Sequence, residues 1–538
     1  MDILFIKLNV CSDLIGKGAI GNIAWLNKFC AAFHEFASKF KMHLPDVAPK
    51  DDMEGKIRIH VETLFLCFIQ VVTCITQLER TINMENTLGK RVKLRLTRTH
   101  FVDRIEWCLR RLQASLYHLS EEAIASSGVK LEDLSFVEVL DVALDKLETF
   151  NEIVHDVDTE SRLDSENPQL CIEVNHIVRH ALAFANVALE SDKKAMTVIC
   201  ETVLDECSVF EHNFDHHNLG ERKLEALSIQ RALYSLETYL NEALLRLIFT
   251  SFSDADEISV NRLKNVLQKC EISKDVEKRI CDFDINMDRI QQIGVFAIAF
   301  ASDVKTKTII RSCLASLESL DSCIVPAFQL QTSTSASYHA NILEHHFKEE
   351  LMVFRNVIHE IINSRALIDI YLDMLAESID GAEKLYQKQR LLQVAQMGNV
   401  LFQHFHLKVN YQELCADECG KRLHQDFVVI LGECQAILEL TVPVDPKRVL
   451  KRFKILYSVL AKLRDVCGGS IREGSVCPNQ NSHMISKNLK HNSIRQQTFV
   501  KPGKEFTHDK SSNNKSSNSL LHESDLISFQ ITEILQIN

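Results

Sequence analysis

Between Pro49 and Pro443 the chain carries only two prolines, Pro168 and Pro326. The long intervals they leave are filled by apolar residues that recur at steps of three and four. Val137, Leu140, Leu144, Leu147 and Val154 form one such series; Leu233, Leu236, Leu240, Ala243 and Leu247 form another. These steps place side chains on one stripe of an α-helix, and scarcity of proline leaves the helices uninterrupted. Nothing comparable alternates like a half-buried strand. The expected fold is therefore all-α, a set of tandem antiparallel helical bundles.

One hydrophobic core stops growing at roughly 250–300 residues, so a chain of 538 residues predicts several helical regions. The punctuation suggests an N-terminal region at 1–167, a middle region at 168–325, a C-terminal region at 326–467 and a tail at 468–538. Prolines at 45 and 49 mark a first connector, followed by expected helices over 52–85, 90–125 and 131–163. The segment 164–168, ending in Pro168, reads as a stop and a new start. Further breaks are expected near 191–192, 216–220, 253–254, 302–303 and 331–337, and Pro443 and Pro446 set off a last helix. Asp254 and Glu257 have capping-box spacing. From Gly468 onward, glycine, serine and asparagine dominate. Such a tail buries too little apolar surface to offset the entropy of ordering, so it is expected to be disordered, with a short apolar docking segment at 526–537.

Lysine and arginine total 61 against 73 acids, a formal charge of −12, which argues against general affinity for nucleic-acid phosphates. The tail is net +2, so the helical body holds −14. The 17 cysteines contain no CxxC pair, and several share helical stripes, such as Cys67 with Cys74 and Cys200 with Cys207. That pattern is expected of reduced, buried thiols in a cytosolic protein. The N-terminus begins with Asp2 and lacks the basic start of a secretory signal. The uncharged run 63–78, bracketed by Glu62 and Glu79, is shorter than the ~20 residues of a membrane span and is read as a buried bundle helix.

No motif supplies a convincing catalytic or metal site. Gly16, Gly18 and Gly21 make a literal GxGxxG, but helical spacing upstream replaces the strand that a dinucleotide site requires, so a helix–helix loop is expected. Asp282, Asp284, Asn286 and Asp288 imitate an EF-hand, yet Met287 and Ile293 stand where the turn glycine and bidentate glutamate belong. His212, His216 and His217 lack a third ligand at a recognisable distance. Cys415, Cys419 and His424, with His404 and His406, also fit ordinary helix positions, the two cysteines on a buried stripe. No catalytic residue, metal ligand or cofactor is assigned.

Two basic strips remain. The first spans Lys90, Arg91, Lys93, Arg95 and Arg98 and continues to Arg104, Arg110 and Arg111; it is read as a solvated face. In the second, Lys447, Arg448, Lys451, Arg452 and Lys454 oppose a seam of Val449, Phe453, Leu456, Leu460 and Leu463. That is a basic amphipathic helix, either a bundle helix with a wet back or a surface for acidic lipid or an acidic partner. Arg365 occupies a step in the stripe of Ile358, Ile361, Ile368, Leu372, Leu375 and Ile379, where its charge needs a carboxylate or an exit to solvent.

The segments Gly21 to Phe40, Val61 to Ile82 and Gln291 to Asp303 resemble the insect serendipity alpha family, a distant relative of the vinculin/α-catenin superfamily. The resemblance covers most of 1–467. It implies a non-enzymatic cytoskeletal adaptor, cytoplasmic and peripheral on the inner plasma membrane. Its implied role is to organise actin filaments during membrane invagination and cellularization of the syncytial blastoderm. The implied partners are the actin cytoskeleton, reached directly or indirectly, and the cytoplasmic membrane surface or cortical proteins, with homodimer formation left open. Where vinculin has a proline-rich linker and a helical tail, this chain has only Pro443 and Pro446 before one basic helix. The alternatives from the residues alone are a cytosolic helical scaffold without an actin link, or an all-α enzyme with an unrecognised metal site.

Overall fold

The computed structural model describes residues 2–47, 55–89, 93–121, 131, 134–152, 157–212, 219–253, 256–267, 274–301, 303–330, 333–415, 418–441 and 444–467. Among them the regular structure is helical throughout, with no β-strand. The tail, His216 and His217, Asp254, and Lys90 and Arg91 lie outside the described residues.

The first four helices, α1 (Asp2–Ile15), α2 (Ile23–Val47), α3 (Gly55–Leu88) and α4 (Arg95–Glu121), pack on one another. The GxGxxG segment is the expected helix–helix loop, a single 3₁₀ turn at Gly18–Ile20. Trp25 closes it by donating from Nε1 to the Leu14 carbonyl at 2.8 Å. The core is aromatic: Phe33, Phe36 and Phe40 of α2 surround Phe68 of α3 at centroid separations of 5.2–5.6 Å, within the range of favourable ring pairs.

The next group comprises α5 (Phe136–Glu152), α6 (Val157–Ala185), α7 (Glu190–His212) and α8 (Leu219–Ser253), each in contact with its successor, and α8 also with α5. Helix α8 carries the predicted stripe: Leu233, Leu236, Leu240, Ala243 and Leu247 are all fully buried. Helices α9 (Asp256–Leu267), α10 (Lys274–Phe300), α11 (Val304–Gln329) and α12 (Thr334–Ile361) form a third group. The last contains α13 (Ser364–Lys384), α14 (Lys388–His406), the short α15 (Lys408–Leu414), α16 (Glu418–Glu439) and α17 (Pro446–Cys467). Polar caps start several helices. The side chains of Asp303, Ser333 and Asn363 accept from the backbone N–H groups of Thr306, Ala336 and Ala366, satisfying donors that have no intrahelical partner.

Proline misplaced two expected breaks. The chain interrupts its helices between Glu152 and Val157, and α6 then runs through position 168. Pro326 likewise lies inside α11. The expected seams at 167/168 and 325/326 therefore fall within helices. An internal proline costs about 3 kcal/mol, which the burial of flanking side chains offsets: Leu170, Val174, Ile177, Ala181 and Phe184 follow the first, and Ala327 and Phe328 the second. Arg365 also departs from its expected place. The chain turns at Ile362 and Asn363 between α12 and α13, so the apparent stripe belongs to two helices and Arg365 exits to solvent beside Asp369.

Helix α3 is long and apolar enough to cross a membrane by length and composition. Here it is a core helix, with Leu64, Phe68, Val71 and Leu78 fully buried and α4 and α11 packed on its sides. The described cysteines form no disulfide and most are buried. Burial pushes the Cys11 and Cys30 thiols up to about 12, which keeps them protonated and unreactive.

Candidate functional site

Asp445 precedes the proline that opens α17, and its side chain accepts from the Lys447 backbone N–H at 3.1 Å. Proline at this position is preorganised for a helix and loses no needed donor. The predicted seam is the buried one: Val449, Phe453, Leu456, Leu460 and Leu463 are at most 1% exposed. They face α13 and α16, each contributing about 1.5–3 kcal/mol of apolar burial.

The five predicted basic residues are all exposed, but they divide into two sets. Arg452 pairs with Glu433 of α16, and Lys454 Nζ lies 2.6 Å from Glu383 Oε1 of α13. These two brace the helix onto its neighbours. Lys447, Arg448 and Lys451 occupy the first turns and make no ion pair among the described residues. Cations near a helix N-terminus oppose the macrodipole at about 0.3–1 kcal/mol each, so their placement works against the helix that carries them.

The first strip is a correction to the expected solvated face. Arg98 is only 5% exposed and grips Glu85 with Nε at 3.1 Å and Nη2 at 2.6 Å. Its Nη1 also donates to the Gly21 carbonyl, so one guanidinium ties the ends of α3 and α4 to the α1–α2 loop. Arg104 donates from Nε to Gln70 Oε1 at 3.1 Å and from Nη2 to the Ala315 carbonyl at 3.0 Å. Arg110 remains on the surface, and Arg111 lies over the Trp107 ring at 4.9 Å.

Arg104 belongs to a polar seam between α3–α4 and α11–α12 that periodicity could not reveal. Gln70 Nε2 donates to Ser312 O, Ser312 Oγ and Ser316 Oγ at 2.8–2.9 Å. Arg80 pairs with Glu349 at 2.6 Å, Glu62 with Arg311, and Thr97 Oγ1 lies 2.9 Å from His339 Nδ1. Beside them, half-buried His100 is pushed down to about 4 and buried His346 to about 3 by desolvation. Glu350 is pushed up to about 7 for the same reason. The only local sign in the sequence was polar residues, such as Gln70 and Gln77, on an otherwise apolar helix.

The metal-like motifs do not assemble. Asp282 through Asp288 lie on α10, with Met287 buried as a core residue. His404 is fully buried, its Nε2 2.9 Å from Ser364 Oγ and its Nδ1 3.2 Å from Asn410 Nδ2. His406 stacks on Phe402, and His424 packs against Phe405 and Tyr411. Cys415 ends α15 while Cys419 is exposed on α16, so they share no buried stripe. No group of three or more potential ligands converges among the described residues.

The sponge vinculin homologue has a solved structure that matches with a TM-score of 0.53 at 13% identity, covering 87% of this chain and 59% of that one. That match concerns the fold, an array of helical bundles. In sequence, the chain is 66% identical over 541 residues to the serendipity locus protein alpha of Drosophila virilis and 52% identical over 560 residues to that of Drosophila pseudoobscura pseudoobscura, in both cases across 100% of each chain. The family model described as serendipity locus alpha protein matches residues 1–538, and the chain belongs to that family.

Proposed function

We propose that this chain is a non-enzymatic cytoskeletal adaptor that couples actin filaments, directly or through a partner, to the cytoplasmic face of the plasma membrane. In this reading it organises cortical actin while membrane invaginates during cellularization. Support comes from its membership of the serendipity alpha family and from a bundle array of the vinculin kind, with many outward helix faces. The observation that carries the membrane contact is the cationic start of α17, where Lys447, Arg448 and Lys451 are exposed without ion pairs among the described residues. Near an anionic leaflet each basic residue contributes about 1 kcal/mol, attenuated by salt.

The test is sedimentation of the full chain with actin filaments and, separately, flotation with vesicles containing phosphatidylserine. Replacing Lys447, Arg448 and Lys451 with glutamine should abolish vesicle flotation without lowering the melting temperature, since it removes cations that oppose the helix dipole. Replacing Arg452 and Lys454 should leave most flotation intact. Equal flotation of the triple variant would refute the membrane role of α17, and absence of actin from every pellet, in embryo extract as well as with purified filaments, would refute the adaptor reading.

A further inference from the structure

Cys11, Cys30 and Cys200 are buried thiols that desolvation pushes up to about 12, 12 and 11, and they take part in no chemistry. Two cysteines on neighbouring helices break that pattern. Cys171 of α6 and Cys207 of α7 face each other with their sulfurs 3.2 Å apart. A disulfide bond is about 2.05 Å long, so a closing movement of about 1.2 Å would join them. Helices α6 and α7 form a hairpin through the turn at 186–189. Cys171 sits about 20 Å along α6 from that turn, and its partner follows 36 positions later. The pair therefore lies toward the open end of the hairpin, where no covalent connection holds the two helices together.

The two sulfurs are not equivalent. Cys207 donates its S–H to the Cys171 sulfur, and this bond holds the Cys171 thiol below its ordinary value against burial and the nearby Glu211 carboxylate. The Cys207 thiol is raised by the same bond and by burial. Cys171 is thus the better source of thiolate, the nucleophilic form. It is also the more accessible of the two, 9% exposed against 4%. A second pair, Cys67 of α3 and Cys108 of α4, shares a thiol hydrogen bond as well, but both residues are fully buried. That pair has the contact without the access. An attacking cysteine beside a resolving one is the arrangement of peroxide-sensitive sites, and disulfides in reducing compartments act as transient signals more than as permanent staples.

We propose that Cys171 and Cys207 form a peroxide-sensitive pair whose disulfide locks α6 to α7 toward the open end of their hairpin. The Cys171 thiolate attacks one oxygen of hydrogen peroxide, the O–O bond breaks, and the departing hydroxide takes up the thiol proton as water. Cys171 is left as a sulfenic acid. The Cys207 sulfur then attacks the Cys171 sulfur, the S–O bond breaks, and the leaving oxygen carries off the Cys207 proton as a second water. Two thiols are oxidised and one peroxide is reduced. While reduced, the α5–α8 group can part along its α6–α7 edge; once oxidised, it is held there covalently. The pair shares no residue with the basic start of α17, so it stands or falls apart from the membrane contact proposed above.

The test treats dilute, fully reduced full chain with hydrogen peroxide and then alkylates the remaining thiols. Cleavage after glutamate leaves 167–173 and 207–211 as peptides with one cysteine each. Mass spectrometry should find them joined, lighter than their sum by two hydrogen atoms, released by dithiothreitol, and formed at lower peroxide than any Cys67–Cys108 cross-link. Amide exchange in α6 and α7 should slow about a hundredfold on oxidation, the scale of a disulfide closing a loop of this size, and recover on reduction. Cys207→Ser keeps a hydrogen-bond donor but removes the resolving thiol, so Cys171 should accumulate as a sulfenic acid that dimedone captures. Cys171→Ser should give no dimedone adduct at Cys207. The proposal is overturned by a cross-link that appears only in urea or no sooner than Cys67–Cys108, by peroxide oxidation confined to other cysteines, or by a cross-link that leaves exchange in α6 and α7 unchanged.

Discussion

Glu350 holds its proton more tightly in the folded chain, its pKa raised from 4.5 to about 7, chiefly by burial. The groups facing it are Cys313 and Ser316 of α11, His346 and Glu349 of α12, and Cys74 of α3. Its contribution to stability is full below pH 4.5 and is lost as the pH rises through about 7. The desolvated histidines run the opposite way. His100, His346 and His359, lowered from 6.5 to about 4, 3 and 3, contribute fully above pH 6.5 and lose that contribution as the pH falls through those values. Glu350→Gln should therefore raise stability at pH 8 by about 2 kcal/mol and leave a steeper loss on acidification. Urea melts from pH 5 to pH 8 would show both, and a profile parallel to the parent's would contradict them. Residues of this kind were the least legible in the sequence. The α17 seam could be read because one helix determines it, whereas the partners of Arg452, Lys454 and Arg98 lie on other elements. Charge type alone did not separate a buried arginine from a wet one.

At the scale of helices, close approach is the deciding quantity. Gly398 of α14 lies where a Cβ would meet Leu431 Cδ1 of α16 at 2.5 Å and Tyr371 Oη of α13 at 2.7 Å. That tyrosine is fully buried and donates to the Val394 carbonyl at 2.9 Å, so it has little room to yield. Gly398→Ala should cost about 1–3 kcal/mol as overpacking, although alanine is the better helix former. Thermal unfolding gives the answer, and an unchanged or raised melting temperature would show that the three helices can part without penalty. Helices themselves were legible, since three–four periodicity is a local property. Their ends were less so: Pro168 and Pro326 read as boundaries because the clash is local, while the burial that tolerates them is tertiary. The seam around Arg365 failed for the converse reason. Two helices on either side of a short turn kept the same phase, and the turn rests on Asn363, whose capping role depends on backbone geometry.

Across the whole molecule, four groups of helices are joined by contacts of different character. The α8–α13 contact carries apolar surface, with Phe249 stacked on Tyr371 at 5.5 Å, while the seam between α3–α4 and α11–α12 is polar. Gln70→Leu would leave Ser312, Ser316 and Arg104 without a central partner, at about 1–3 kcal/mol for buried groups left unsatisfied. Hydrogen exchange should then quicken in α3, α4 and α11 and remain unchanged in α13–α17, as expected for opening of a part. Uniform acceleration would mean that the array opens as one unit.

Gln70 and Ser312 are 242 positions apart, and that separation has a consequence for a chain made from its N-terminus. At about 5–20 residues per second, the ribosome delivers α11 roughly 10–50 s after α3 has emerged. For that interval the newborn α1–α4 group presents its unfinished side to the crowded cytosol. An apolar side would invite misassembly between nascent chains. Glutamine, arginine and threonine keep that side hydrated until its own partner arrives.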